Sequence, residues 1–185
     1  MELFWSFILY SFLGFGLEVF YALLTGGRRD RKRTLLLPLC PVYGLGAVTI
    51  LLLSRLVGEN REIRFLLGII GATVVEYLLA VWYEKGLGVS FWDYSEIPGN
   101  LHGRVCLPFS LVWGILGVIL VEWVHPAMEM WLIRPIPGVV MATVMFVVAG
   151  DLVVSGIMLR ITGERACLRW YDGKCIWRTE KKRLS

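Results

Sequence analysis

The chain has 185 residues, of which 57% are hydrophobic and only 18% charged, with a mean hydropathy of +0.66 and a formal net charge of +4. Water-soluble domains of this size carry about a quarter charged residues, so soluble globular, disordered and fibrous classes are excluded. The apolar surplus is gathered into five runs of spanning length, which predicts an all-α membrane protein, a five-transmembrane-helix bundle over residues 1–160 with a basic tail at 161–185.

The first run, 3–25, is too long for a signal-peptide core, is preceded by Glu2 and lacks a small-residue cleavage site, so it is expected to remain as a helix. It carries Glu18, with Ser11 and Gly14 at helical spacing around it. A loop holding Arg28, Arg29, Arg31, Lys32 and Arg33 leads to the second run, 35–53, with Cys40 near its start. The third run, 65–83, carries Glu76 on a stripe with Gly68, Ala72 and Ala80. The fourth, 107–124, begins beside Cys106, and the fifth, 137–159, carries Asp151 with Thr143 and Ser155 near it. Glu59 and Glu122 read as solvated ends toward the outer face.

Between the third and fourth runs lies EKGLGVSFWDYSEIPGNLHGRVC, residues 84–106, too polar to span and too aromatic for a plain tether. Long loops in compact proteins are commonly functional, so a re-entrant or lid-like loop is favoured over a solvated linker. In the tail, Asp172-Gly173 between two alternating runs predicts a β-hairpin over 168–177, pairing Trp170 with Cys175 and Leu168 with Trp177. A disordered basic tail is the alternative, because isolated hairpins are marginal in water.

Of the 19 Lys and Arg residues, fifteen fall in the 26–34 loop, the 84–106 loop and the tail from Arg160, against Arg55, Arg61, Arg64 and Arg134 on the other side. That asymmetry predicts an N-out, C-in topology. The basic balance is accounted for by membrane orientation and anionic lipid, with no nucleic acid implied.

Acids within spanning segments cost about 2.5 to 3.5 kcal/mol each on insertion scales, so they need an offset. In this topology Glu18, Glu76 and Asp151 lie roughly 10 to 12 Å from their cytoplasmic helix ends at the helical rise. Three acids at one depth point to a polar pocket, and the plainer alternative is polar glue between helices. Arg104, at the foot of the fourth run, is the expected counter-charge. Cys40 and Cys106 enter from the same side at similar depth, so they form a candidate thiol pair, although buried free cysteines acting as small hydrophobes are commoner. Cys167 and Cys175 lack the paired short spacings and His partners of a zinc module, so neither a metal nor a cofactor is expected.

Several blocks carry a family resemblance: Ser11-Phe12-Leu13-Gly14 with Glu18, Leu37-Pro38-Leu39-Cys40-Pro41-Val42-Tyr43-Gly44, and Glu76-Tyr77. The most specific are Phe91-Trp92-Asp93-Tyr94-Ser95 and Asn100-Leu101-His102-Gly103-Arg104-Val105-Cys106-Leu107, followed by Ser110, Trp113-Gly114 and His125-Pro126. With these residues the chain resembles the putative ABC-transporter type IV family, the CmpB-like permeases, over residues 3 to about 126. The family tends to have Gly where Leu37 stands, and the tail lies outside the match. The resemblance implies a multi-pass protein of the bacterial cytoplasmic membrane that takes part in transport.

The sequence has no G-x-x-x-x-G-K-[ST] phosphate loop, so any ATPase belongs to a separate subunit. Five helices make a narrow path, which implies self-association as a homo-oligomer. The expected site is a cytoplasm-facing cavity lined by Glu18, Glu76 and Asp151, with Tyr43 beside it and the Trp92–Arg104 loop as its cap. Arg104 and Asn100 would fix a small polar or cationic ligand near Asp93, and Trp92 and Tyr94 would stack on it. For both aromatics the alternative is interfacial anchoring. Two other classes stay open. One is a membrane-embedded enzyme acting on a lipid or isoprenoid-type substrate, against which stand the absence of H-E-x-x-H, a nucleophile elbow and an Asp-rich metal motif. The other is a non-catalytic binding or regulatory subunit.

Overall fold

Long apolar runs with no water to satisfy their peptide groups fold as helices, because only a helix pairs its own N–H and C=O groups within one segment. The computed structural model describes residues 2–26, 34–132 and 136–168. It contains α1 (Glu2–Thr25), α2 (Pro41–Ser54), α3 (Arg61–Trp82), α4 (Leu107–Ile119), α5 (His125–Leu132) and α6 (Gly138–Thr162), with short strands β1 (Asn100–Leu101) and β2 (Val105–Cys106). A π-helical turn, Tyr83–Leu87, prolongs α3, and another, Leu120–Val124, joins α4 to α5 in one continuous rod. Asn60 caps α3 by accepting the Ile63 N–H at 3.0 Å. The hairpin expected at 168–177 lies outside the described residues beyond Leu168, where a short 3₁₀ turn, Arg165–Leu168, ends.

Among the described residues four helices are long and apolar enough to cross a membrane, those starting at Glu2, Arg61, Leu107 and Gly138. The second run departs from expectation, since residues 34–40 are not helical and α2 has only 14 residues. At the helical rise α2 is about 21 Å long, short of a hydrocarbon core of about 30 Å. The cause is local. Pro38 and Pro41 exclude helical backbone at the residues before them, and Cys40 accordingly has φ −118° and ψ 92°. Non-helical backbone at this depth must be satisfied by protein, and it is. The Cys40 N–H donates to the Ser11 carbonyl at 2.9 Å, the Leu39 N–H to the Leu37 carbonyl, and the Leu36 and Leu37 N–H groups to Asp151.

The bundle packs in chain order, α1 on α2, α2 on α3 and α3 on α4. Small residues set the separations. A Cβ placed on Gly14 would lie 2.2 Å from Tyr43 Cβ, and one on Gly44 would lie 2.1 Å from Ser11 Oγ, so α1 and α2 meet almost backbone to backbone. Gly68, Ala72, Glu76 and Ala80 are buried on α3, as their spacing predicts, and so are Asp151 and Ser155 on α6. Thr143 is exposed, contrary to expectation, because the packed face of α6 runs through Val144, Val148, Asp151, Ser155 and Leu159 and leaves Thr143 outside it.

Candidate functional site

Glu76 lies on the packed face of α3 with only 1% of its surface exposed. Its two carboxylate oxygens answer to different elements. Oε2 accepts the Trp113 indole N–H of α4 at 2.9 Å, and Oε1 accepts the Tyr94 hydroxyl of the 84–106 loop at 3.1 Å. The Trp113 ring lies 5.0 Å from the Tyr43 ring of α2, and the Tyr43 hydroxyl donates to Glu18 Oε1 of α1 at 2.8 Å. A polar chain, part-buried at Tyr43 and joined there to Trp113 by ring packing, therefore runs from Glu18 through Tyr43, Trp113 and Glu76 to Tyr94, crossing four helices and the loop. Hydrogen bonds to a carboxylate in a low-dielectric interior are strong, so this chain ties those elements together while holding the acids off lipid.

Asp151 answers to a different set of partners. Its Oδ1 accepts the Leu36 N–H at 3.0 Å and the Ser155 hydroxyl at 2.8 Å, and its Oδ2 accepts the Leu37 N–H at 2.8 Å. It stabilises the break before α2 from across the bundle. The structure thus joins Glu18 and Glu76 and leaves Asp151 at a separate station.

The loop folds back onto the bundle. Phe91, Trp92 and Tyr94 are buried in one apolar cluster with Ala80, Tyr83, Cys106 and Leu159, and Tyr94 stacks on Phe109 with 4.9 Å between centroids. Its polar residues mostly serve the loop itself. Asp93 Oδ1 accepts the Ser95 N–H and hydroxyl at 2.9 and 2.6 Å, so the Ser95 donors hold the exposed Asp93 carboxyl below its usual range. Asn100 donates to the Ser95 and Ile97 carbonyls and accepts the Gly103 N–H, while the Trp92 indole donates to the Arg104 carbonyl at 2.7 Å. Gly103 has φ +68°, and a Cβ there would lie 2.8 Å from Asp93 Oδ1, so the turn requires glycine on both counts. These contacts explain why the W-D-Y-S and N-L-H-G-R blocks occur together: each supplies the other's hydrogen-bond partners.

Arg104 does not pair with a mid-span acid. It donates from Nε and Nη2 to Glu84 Oε2 at 2.9 and 2.6 Å, and its guanidinium lies 5.5 Å from the Tyr77 ring centre. The Glu84 carboxylate holds Arg104 more firmly protonated than usual. Tyr77 also bonds His102 Nδ1 at 3.1 Å, completing a clasp at the foot of α3. Glu84, Tyr77 and Trp113 are site residues that sequence reasoning missed. Trp113 carried a signal, an indole donor in an otherwise apolar helix, whereas the Glu84 pairing depends on how the loop folds. Cys40 and Cys106 are buried in different apolar clusters and are not joined by a disulfide. Among the described residues no group of His, Cys, Asp and Glu is arranged to hold a metal ion.

A cavity of about 700 Å³ opens between α1, α2 and α4, walled by apolar side chains with Tyr10, Tyr43 and Trp113 among them. Phe12, Leu13 and Leu17 form its exposed rim on α1, so it faces sideways, where acyl chains would lie. None of the three expected acids lines it. Each accepts hydrogen bonds from within the protein, and Tyr43, which lines this hollow, donates to Glu18.

These features define a multi-pass helical membrane protein with a polar chain and a folded-back loop. The chain belongs to the family described as putative ABC-transporter type IV, whose model matches residues 5–157. That span takes in the polar chain, the loop and α6 as far as Asp151 and Ser155. No curated protein and no solved structure matches it. The family and the apolar helices make it a membrane transport component.

Proposed function

We propose that this chain is the membrane-spanning subunit of a transporter powered by a separate ATPase, and that it handles a small polar or cationic ligand at the Glu18–Tyr43 end of the polar chain. The observation that carries this reading is Glu76, a carboxylate 1% exposed within a spanning helix and bonded to both α4 and the loop. A carboxylate is expensive in such a place, and it connects the loop to the residues bordering the lateral cavity. Movement of the loop is thereby coupled to Tyr43 and Glu18, which is the link an alternating-access device requires. Trp92, Asp93, Asn100 and Arg104 act in this reading by building the lid, and Asp151 by bracing the break before α2. The proposal places the protein in a bacterial cytoplasmic membrane, N-out and C-in, as a homo-oligomer.

Purified protein reconstituted in liposomes tests the reading against its rivals. Solute flux with a co-purifying ATPase supports the transport subunit. Turnover of a lipid or isoprenoid-type substrate assigns a membrane-embedded enzyme instead, and ligand binding with neither flux nor turnover assigns a regulatory subunit.

A further inference from the structure

The break before α2 creates a second hollow, on the opposite side of that helix from the lateral cavity. It has a volume of about 340 Å³ and lies between α1, α2, α3 and α6, with Leu35, Leu45, Leu79 and Leu159 among its apolar walls. Thr34, Tyr83 and Ser155 place hydroxyl-bearing side chains on the same walls. Thr34 is 5% exposed, and its Oγ1 is buried without a hydrogen bond of ordinary geometry, with the Tyr83 hydroxyl beside it. A buried hydroxyl left in that state costs free energy that a bound hydrogen-bonding group recovers.

The charge state of the occupant follows from the surroundings. Among the described residues no Lys or Arg lines the hollow, and an anion would face the Asp151 carboxyl group behind Ser155. A cation is served little better, because Asp151 already accepts two backbone N–H groups and the Ser155 hydroxyl. The Ser155 hydroxyl already donates to Asp151 and accepts the Leu36 N–H, so the Thr34 hydroxyl on an apolar wall is what matches an uncharged molecule with one polar end. We propose that this hollow is a binding site for a small uncharged amphiphile, an apolar body bearing a hydroxyl or similar neutral hydrogen-bonding group that meets Thr34. The site is separate from the Glu18–Glu76 chain and does not depend on the transport reading.

Gly156 lines the hollow, and a Cβ there meets only Leu87 Cδ2, at 3.9 Å, so a cysteine at 156 reports on occupancy. The full-length G156C protein in nanodiscs is treated with methyl methanethiosulfonate, and modification is read by peptide mass spectrometry so that native cysteines are scored separately. Four probes of one shape then compete: benzyl alcohol, toluene, benzylammonium and benzoate. Benzyl alcohol is expected to slow modification at 156, and a Thr34→Val change is expected to weaken that protection about fivefold, the effect of roughly one buried hydrogen bond. A V153C control on the lipid-exposed side of α6 should show no protection. Equal protection by toluene would reduce the site to an apolar void. Protection by benzylammonium or benzoate at least as strong as by benzyl alcohol would overturn the assigned charge class, and no protection by any probe would overturn the site. Saturation-transfer NMR on the unsubstituted protein with the same four probes makes the comparison without an introduced cysteine.

Discussion

Changing Tyr94 to Phe removes one oxygen and leaves the ring stacked on Phe109, so it isolates the hydroxyl that donates to Glu76. Leaving the buried Glu76 oxygen without this donor costs about 1 to 3 kcal/mol, and at 1.4 kcal/mol per factor of ten its loss shifts an equilibrium by about 5- to 150-fold. The bond joins the loop to α3, so the shift falls on loop opening ahead of global unfolding. Amide hydrogen exchange in nanodiscs reads it directly, since exchange rates track the population of the open form. Peptides covering residues 88–106 should exchange at least about fivefold faster in Y94F than in the parent, while peptides from the middle of α2 stay unchanged. In an E76Q background the carboxyl acceptor is replaced and the same change should have a much smaller effect, which a double-mutant cycle resolves. Loop exchange within twofold of the parent in Y94F would show that Tyr94 does not hold the loop on Glu76 and would sever the polar chain at its loop end.

Further outcomes follow from the other contacts. In D151N one side-chain oxygen becomes an amide that opposes a backbone N–H of Leu36 or Leu37, so stability should fall by about 1 to 3 kcal/mol and exchange should rise first at residues 34–40. Gly14→Ala forces a methyl against Tyr43 and should destabilise α1–α2 packing by about 1 to 3 kcal/mol or more in a chemical denaturation series, whereas Gly16→Ala, where a Cβ meets nothing within 4 Å, should be near neutral. Asp93 is held below its usual pKa by the Ser95 donors, so its contribution to the turn is complete above the unfolded value of about 3.9 and is lost as pH falls through the lower folded value. Protection of the 93–95 amides should therefore persist at pH 5 and fade only in stronger acid, and an Asp93→Asn protein should lack that pH dependence.

The spans were legible because hydrophobic length is a one-dimensional property, and the acidic stripes because small residues at helical spacing mark a packed face. That logic located buried Ser11, Gly14, Glu18, Gly68, Ala72 and Glu76. It failed at residues 34–40, where an apolar run passes for a helix although Pro38 and Pro41 break it, and at Thr143, where one polar residue on a lightly packed helix carries no facial signal. Depth alone also could not separate Asp151 from the other two acids. Its partners are backbone amides 114 and 115 positions away, exposed only because the second run unwinds. Arg104 was legible as an ionic partner but not its choice of Glu84, which depends on the path of the loop between them.

The central claim is that the Glu18–Glu76 polar chain works in transport. The most direct measurement is ATP-driven uptake by proteoliposomes containing the chain and any ATPase that co-purifies with it, with E18Q and E76Q compared against the parent at matched insertion and fold. The account predicts that both substitutions abolish uptake while the proteins remain inserted and folded. Uptake at the parental rate in both would contradict it and leave the two carboxylates as helix-to-helix fasteners.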